Sequence, residues 1–360
     1  MVTLNDIAAA CDVSRTTVSR VLSQDPGFSV SPQTRELILT TAASMNYKPG
    51  QRKLKSKASP EKRPENADLP SILKIGMLNF DFKTREVKAS DYYNAVCASV
   101  ISALQDLDLA ARIEFRYILK DSYEELIDLD ALVILGKIYL DPDHPFVSRI
   151  RYKVSIDYIS PENQFDSVRP DFYRVIQMAV EHFQANGHFD IGYIGGCDFI
   201  TQFSYGKRER TQDIRQLAFR DYCLKTHVDP DSRIWITDTF SAEDGYRITS
   251  QLLAKHTLPD AILFGSDDLA LGSYQAFHEH AIKIGEDVSI IGIDNMPFSR
   301  FLNPALTTIA LNPVLVGRSA AYALASQILQ GRNFPLTIHP PVELIERKSV
   351  IDHGHAGREQ

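Results

Sequence analysis

The first twenty-one residues constrain this chain more than any other stretch, because they predict two short helices joined by a tight turn. Thr3 is placed to N-cap the first helix, and Asp6, three residues later, is placed to complete a capping box. Ser14 is placed to N-cap a second helix that runs from Arg15 to Leu22. Two capped helices separated by so few residues predict a helix-turn-helix.

The second helix has two chemically different faces. An apolar stripe that begins at Val18 predicts the face that packs inward. The opposite face carries Arg15, Thr16 and Arg20, whose guanidinium and hydroxyl groups can hydrogen-bond to base edges in a DNA major groove. We interpret this helix as a DNA-reading element, and the alternative is an ordinary helical hairpin.

A third helix and a linker follow the helix-turn-helix. Ser31 is a predicted N-cap, with Pro32 at the first helical position. Residues 58–70 contain three prolines and many charged side chains, which is typical of a linker. We therefore predict a DNA-binding head with its hinge at 1–57 and a linker at 58–70.

The charge is distributed unevenly along the chain. The net charge is −7, but residues 1–57 hold eight Lys and Arg against four Asp and Glu, so this part is +4 and the remainder is −11. A basic end on an acidic body is the layout expected of a DNA-binding protein with a separate body, although a solvated basic tail would have the same charge.

From Ser71 onward, short apolar segments alternate with amphipathic helical segments. This alternation predicts parallel sheets covered by helices, and its length suits two doubly wound lobes. We expect no membrane helix, no secretion signal and thus a cytoplasmic protein. Four scattered cysteines without a CxxC pair predict neither a disulfide framework nor a zinc site, and we expect no cofactor. His353 and His355 are interpreted as part of a solvated tail at 349–360 rather than a metal site.

Four segments of the head resemble the LacI/GalR family of bacterial transcription regulators. They are Val2-Thr-Leu-x-Asp-Ile-Ala, Val13-Ser-x-x-Thr17-Val-Ser-Arg-Val-Leu22, Val30-Ser-x-x-Thr-Arg35 and Asn46-Tyr-Lys-Pro49. The resemblance implies that Thr3, Ser14, Thr17 and Tyr47 join Arg15, Thr16 and Arg20 at the DNA, and that Leu54 wedges into the minor groove. The turn departs from the family at Asp12, where Gly is usual, but Asp tolerates a left-handed backbone.

The body resembles the periplasmic-binding-protein-like core of the same family. The motifs are Gly187-His-x-x-Ile191-Gly-Tyr-Ile-Gly-Gly196, Ser266-Asp-Asp-Leu-Ala-Leu-Gly272, Glu286-Asp-Val-Ser-Ile-Ile-Gly-Ile-Asp294 and Pro304-x-Leu-Thr-Thr308. In that family the chain crosses three times between the lobes, and we place the crossings near 157–160, 293–296 and 320–323. This assigns 71–158 and 295–321 to the N-terminal lobe, and 160–293 and 323–348 to the C-terminal lobe.

The resemblance also implies an effector site between the lobes. Asp157 and Asp294 end predicted strands, and Arg215 opens a predicted helix, so an acid and a fork of donors could hold sugar hydroxyls. The full expected set is Tyr92, Tyr93, Asp157, Arg215, Phe240, Ser266 and Asp294. Ser266 departs from the family, which often has Asn there, and a water could fill the gap. Each of these side chains could instead be a salt-bridge partner or a core residue.

The residues and the resemblance together predict a DNA-binding transcriptional repressor of sugar utilisation genes. Within the family the chain most resembles galactose and β-galactoside repressors, and this resemblance implies galactose or a β-galactoside as its effector. A homodimer is expected, because two heads can read a pseudo-palindromic operator, and the tail lacks a leucine heptad for tetramers. The alternatives are control by a corepressor, whether a small molecule or a phosphoprotein, and a sugar receptor without a regulatory role. An enzyme is disfavoured, because no GxGxxG, GKS/T or GxSxG motif occurs.

Overall fold

The structure is a computed structural model that describes residues 4–22, 30–45, 70–79, 91–107, 109, 112–159, 164–205, 207–255 and 258–353. The chain divides into two compact units, Met1–Arg63 and Pro64–Gln360. The predicted boundary between head and linker, at residues 57 and 58, lies outside the described residues and stays a prediction.

The described part of the first unit is helical. Its helices are α1 (Leu4–Ala10), α2 (Arg15–Leu22) and α3 (Pro32–Ser44). All three contribute to a small buried core, which consists of Ile7, Ala8, Cys11, Val18, Val21, Ile38 and Ala42. The predicted cap of α2 is confirmed, because the Thr17 amide donates to Ser14 Oγ at 3.0 Å. The predicted left-handed turn is confirmed at Asp12, where φ is 51°.

Strands and helices alternate along the second unit, as the apolar pattern predicts. In chain order they are β1 (Ile72–Asn79), α4 (Asp91–Asp106), β2 (Arg112–Ile118), β3 (Ala131–Leu135), β4 (Ile138–Tyr139), α5 (Pro145–Arg149), β5 (Tyr152–Ile156), β6 (Asp166–Val168), α6 (Phe172–Ala185), β7 (Ile191–Gly196), β8 (Asp198–Gln202), β9 (Arg208–Thr211), α7 (Ile214–Lys225), β10 (Ile234–Thr237), α8 (Ala242–Ala254), β11 (Ala261–Phe264), α9 (Asp267–Glu279), β12 (Ser289–Ile293), β13 (Thr307–Ala310), α10 (Pro313–Gln330), β14 (Thr337–Ile338) and β15 (Glu343–Ile345). Short 3-10 helices lie at Tyr123–Leu126, Pro230–Ser232 and Pro297–Phe301.

The strands build two large sheets, one in each lobe. The first has the order β14-β6-β5-β3-β1-β2 and the second has the order β10-β7-β11-β12-β13-β15. All pairings are parallel except the one between β13 and β15. The predicted fold class, a helical head and two doubly wound parallel-sheet lobes, is confirmed.

The predicted crossing points between the lobes are wrong. β6 pairs with β5, so the first crossing comes after residue 168 rather than near 157–160. β13 pairs with β12, so the second lies near 311–312 rather than 293–296. α10 packs in the first core and β14 pairs with β6, which moves the third crossing from 320–323 to the segment between β14 and β15. Strand pairing with distant segments decides these boundaries, and no local signal in the sequence reports it.

A third, small sheet joins elements of both lobes. β4 follows a strand of the first sheet and pairs in parallel with β8, which follows a strand of the second sheet. β8 then forms an antiparallel hairpin with β9. No pattern in the sequence predicted this sheet.

The end of the second lobe also differs from the expected solvated tail. Ser349 is fully buried, and its hydroxyl accepts from the Thr307 amide at 2.8 Å and donates to the Ile290 carbonyl at 2.7 Å. The Ile351 amide donates to Ser289 Oγ at 2.8 Å. The chain is thus tied to the second sheet through residue 351, and residues 354–360 lie outside the described part.

None of the helices that the structure describes is both long enough and apolar enough to span a bilayer.

Candidate functional site

The face of α2 that was predicted to read DNA is accessible. Arg15, Thr16 and Arg20 are exposed, whereas the neighbouring Val18 is fully buried in the core of the head. Thr17 is half-buried, and its hydroxyl lies 2.9 Å from Ser14 Oγ. The inward face is therefore occupied by packing, and the outward face presents two guanidinium groups and a hydroxyl.

The predicted DNA contacts at Thr3, Tyr47 and Leu54 lie outside the described residues. The roles proposed for Ser14, Arg15, Thr16, Thr17 and Arg20 at DNA stay predictions, because the structure contains no nucleic acid.

The second unit contains a cavity of about 390 Å³ that is lined by both lobes. The predicted effector residues all line it, and they are Tyr92, Tyr93, Asp157, Arg215, Phe240, Ser266 and Asp294. Parallel strands bring them together, because Asp157 directly follows β5 and Asp294 directly follows β12, and ligands of such folds sit beyond the carboxyl ends of strands. Their binding of an effector stays a prediction.

Arg215 is held by an acidic partner that the sequence analysis missed. Its Nε and Nη2 donate to the two oxygens of Asp213 at 2.7 and 2.8 Å, and its Nη1 donates to the Gly265 carbonyl at 2.7 Å. Burial opposes the charge of Arg215, but Asp213 outweighs it and raises the pKa of the guanidinium. Burial likewise opposes ionisation of Asp213, but Arg215 holds the pKa of that carboxyl well below its usual value. All three side-chain nitrogens of Arg215 thus donate hydrogen bonds within the protein.

Two aromatic rings enclose the same guanidinium. Arg215 Cζ lies 4.2 Å from the centroid of Phe240 and 5.2 Å from that of Phe172. Such stacking is favourable for a planar cation. The contact fixes Phe240 as a wall of the cavity and gives its ring a partner within the protein.

Desolvation raises the pKa values of two acids that line the cavity. Burial raises the pKa of Asp157 to about 6, although Tyr93 hydrogen-bonds to the carboxylate and Arg215 lies nearby. Burial, followed by the charge of Asp267, raises the pKa of Asp294 well above its usual value. Both residues have left-handed backbones, with φ of 65° and 110°. Positions that are costly in electrostatics and in backbone geometry are typical of functional sites.

Three buried polar atoms of this cavity have no hydrogen-bond partner among the residues that the structure describes. They are Tyr92 Oη, Asp157 Oδ1 and Arg169 Nε, and all three residues line the cavity. Leaving a buried polar group unsatisfied is costly, and native structures contain few of them. A hydroxyl-rich ligand could donate to the Asp157 oxygen and accept from the Arg169 Nε–H at once.

Ser266 plays a structural part that was not anticipated. It is almost fully buried, and its hydroxyl accepts from the Leu269 amide at 3.2 Å as the N-cap of α9. The same hydroxyl donates to the Phe240 carbonyl at 3.3 Å. It therefore joins α9 to the segment that carries Phe240, and its reach toward a ligand is smaller than that of the expected Asn.

The cavity includes charged residues that the sequence analysis did not single out. The most informative are Lys137, Arg169, Asp198 and Asp213. Lys137 and Arg169 follow β3 and β6, so the rule that strand ends face the site could have found both. Asp198 begins β8 and pairs with Lys137, and burial raises the pKa of its carboxyl. Among the described residues, six acids and four bases line the cavity, and this excess of acids does not favour an anionic ligand.

Comparisons with known proteins match one family in each of the two units. Residues 3–50 match the family described as "Bacterial regulatory proteins, lacI family", and residues 180–350 match the family described as "Periplasmic binding protein-like domain". The HTH-type transcriptional regulator GanR of Bacillus subtilis is 28% identical over 355 residues, with 97% of this chain and 100% of that protein covered. The HTH-type transcriptional regulator GalR of Lacticaseibacillus casei is 27% identical over 361 residues, with 98% and 100% covered.

Solved structures share the fold. The lac repressor dimer bound to operator and the anti-inducer ONPF is 24% identical, with a TM-score of 0.61 and 97% of this chain and 99% of that chain covered. The transcriptional regulator CelR–cellobiose complex is 20% identical, with a TM-score of 0.59 and 97% and 100% covered. Both sequence relatives carry the names of HTH-type transcriptional regulators.

Proposed function

We propose that the chain is a DNA-binding repressor of sugar utilisation genes in the LacI family of bacterial regulatory proteins. Residues 3–50 match that family, and the regulator GanR is 28% identical over 355 residues. In this proposal α2 reads operator DNA, and a small neutral sugar, galactose or a β-galactoside, binds in the cavity between the lobes. A DNA-bound regulator acts where the chromosome is, so a cytoplasmic location is part of the same proposal.

The observation that carries the sugar proposal is the set of unpartnered polar atoms in the cavity. Asp157 Oδ1 can only accept when ionised, Arg169 Nε can only donate, and Tyr92 Oη can do either. Neighbouring hydroxyls on a pyranose both donate and accept, so one ring could serve all three atoms. The excess of acids over bases favours a neutral sugar over a phosphorylated one.

The printed names of similar structures support a carbohydrate ligand. One is a complex of CelR with cellobiose, and another is a regulator from Enterococcus faecium with bound ribose. The likeness of those proteins concerns the fold, so the choice of galactose rests on the resemblance to galactoside repressors.

The DNA half of the proposal rests on the exposed face of α2. Each of Arg15 and Arg20 can contact a guanine edge or a phosphate, and Thr16 can contact either kind of group. A homodimer would place two such helices on a pseudo-palindromic operator. Changing a base-reading side chain is expected to cost about 1–3 kcal/mol of binding free energy.

Sugar binding would act on DNA through the arrangement of the lobes. A ligand that contacts both lobes favours the lobe arrangement in which those contacts coexist, with a coupling free energy of typically about 1–3 kcal/mol. If that arrangement weakens operator binding, the sugar is an inducer. A corepressor, whether a small molecule or a phosphoprotein, is the second candidate, and the acidic cavity favours the neutral sugar over a phosphorylated small molecule.

The sugar proposal is tested by a thermal-shift screen against galactose, lactose, allolactose, glucose, other hexoses and nucleobases. A ligand that binds only the native state raises the unfolding midpoint by mass action. We expect galactose or lactose to raise it in the wild type and in Asp128→Asn, which alters an exposed acid. We expect the shift to disappear in Asp294→Asn. No shift with any sugar would refute the sugar half of the proposal.

The DNA proposal is tested separately, by selecting operator sequences from random duplexes and measuring affinity by fluorescence anisotropy. Arg20→Ala should weaken binding about 5- to 150-fold, which corresponds to the expected 1–3 kcal/mol. Arg149→Ala removes the same charge from an exposed site on the body and should leave affinity unchanged. Equal affinity of the wild type and Arg20→Ala would refute the assignment of α2.

A further inference from the structure

The β8–β9 hairpin follows a strand of the second lobe along the chain but pairs with a strand that follows the first sheet. It follows β7, the second strand of the second sheet, and pairs with β4, which follows β3 of the first sheet. The Thr201 amide donates to the Lys137 carbonyl at 2.8 Å, and the Phe203 amide donates to the Tyr139 carbonyl at 3.0 Å. The hairpin is thus hydrogen-bonded across the gap between the lobes.

The tip of the hairpin is anchored in the first lobe by an aromatic side chain. Phe203 is 1% exposed and packs in a cluster of first-lobe residues that includes Leu78 and Ile118. Its ring meets Tyr123 edge-on, with centroids 5.1 Å apart. The adjacent Ser204 amide donates to the Asp121 carboxylate. A residue of the second lobe therefore completes the core of the first.

The base of the hairpin adds an ion pair and a wall of the cavity. Lys137 of the first lobe pairs with Asp198, and both side chains are largely buried, with 18% and 20% exposure. Phe199 and Thr201 line the cavity, and Arg208 lies over the Phe199 ring at 4.8 Å. The element that joins the lobes is thus in position to contact whatever occupies the cavity.

We propose that the β8–β9 hairpin is a clasp that holds the lobes closed in the absence of ligand and controls access to the cavity. Three covalent crossings connect the lobes. They can act as hinges only if the contacts between the hairpin and one of the lobes break. Opening the cavity must either break the β4–β8 pairing and withdraw Phe203, or detach the hairpin from the second lobe. The link to a sugar rests on the proposed function, but the clasp itself does not.

The clasp is tested in the full-length protein without any ligand, by thiol modification followed with site-resolved mass spectrometry. Cys197 follows β7, lines the cavity, and is 7% exposed, so its reaction rate reports opening. Cys223 is 1% exposed in the core of the second lobe, so its rate reports unfolding of that lobe. Phe203→Ala removes the anchor. Tyr205→Ala is the matched control, because Tyr205 is on the same hairpin but 81% exposed.

We expect Phe203→Ala to accelerate modification of Cys197 about tenfold or more, because deleting a buried aromatic side chain changes an opening equilibrium by at least that factor. Cys223 should stay as slow as in the wild type, and Phe203→Leu should restore most of the protection of Cys197. Asp121→Ala, which removes a single hydrogen bond at the tip, should give a smaller acceleration of the same kind.

Two results would overturn the clasp. One is an unchanged rate at Cys197 in both Phe203→Ala and Asp121→Ala, which would mean that the anchor does not restrain the lobes. The other is a parallel acceleration of Cys197 and Cys223 in both variants, which would reduce the anchor to a contribution to overall stability. The experiment contains no sugar, so its result does not depend on whether the sugar proposal is correct.

Discussion

Asp157→Asn should stabilise the protein at neutral pH when no ligand is added. In the wild type, burial raises the pKa of this carboxyl from 3.8 to about 6. A group whose folded pKa lies above its unfolded pKa binds a proton more readily in the native state. The stability that protonated Asp157 contributes is therefore fully present below pH 4 and is lost as the pH rises through 6.

The size of the effect follows from the same two values. At 1.36 kcal/mol for each pH unit between 3.8 and about 6, the charged carboxylate costs at most about 3 kcal/mol above pH 6. Asparagine carries no charge and can still accept from Tyr93, but its amide brings donors that need partners. Asparagine also tolerates the left-handed backbone at this position, where φ is 65°. The expected gain is about 1–3 kcal/mol at pH 7.5.

The assay is thermal unfolding of wild type and variant from pH 4.5 to 8 without ligand. The difference between the two proteins should be small at pH 4.5, should grow through pH 6, and should then level off. Asp128→Asn is a matched control, because Asp128 also has a left-handed backbone, with φ of 62°, but is exposed. That control should behave like the wild type at every pH.

The reasoning would be refuted by an Asp157→Asn protein that is less stable than the wild type at pH 8. It would also be refuted by a stability difference that does not change between pH 5 and pH 8. Either result would mean that the desolvated carboxylate is not the source of the cost.

Further predictions concern the guanidinium, the head and the helix packing. Arg215→Met should destabilise the body by about 3–5 kcal/mol at pH 7.5, because it leaves Asp213 buried without its cation. The loss of stability, measured by thermal unfolding, should be smaller in the double variant that also carries Asp213→Asn. Ser14→Ala should destabilise α2 by about 0.5–2 kcal/mol, seen as faster amide hydrogen exchange in that helix with unchanged exchange in the body. Gly245→Ala should destabilise the body by about 1–3 kcal/mol in thermal unfolding, because a Cβ there would meet the Leu269 carbonyl oxygen at 2.0 Å; unchanged stability would contradict the close packing of α8 on α9.

The head was largely predictable because its signals are local. Caps, turn residues and the spacing of apolar side chains act over a few residues, so Ser14, Asp12 and the two faces of α2 could be assigned from the sequence. Strands and helices of the body were predictable for the same reason, and their alternation was enough to indicate two doubly wound lobes.

Seven of the residues that line the cavity were predicted from the sequence, but the ion pairs and hydrogen bonds among its lining residues were not. Strand ends of parallel sheets meet at one edge, which brought Asp157 and Asp294 into the same cavity as Arg215. The sequence offered no sign that Asp213 takes two of the donors of Arg215. Side-chain direction and burial decide which of several nearby groups pair, and both emerge only when distant elements pack.

The sequence by itself determined the elements, the class of fold and the residue types at the strand ends, because these follow from periodicity, capping and strand order along the chain. Only the tertiary structure decided where the chain crosses between lobes and that a hairpin of one lobe seats Phe203 in the other. Those features depend on which strands far apart in sequence become neighbours, and on the free energy of burying apolar surface between them. No short stretch of the chain carries that information.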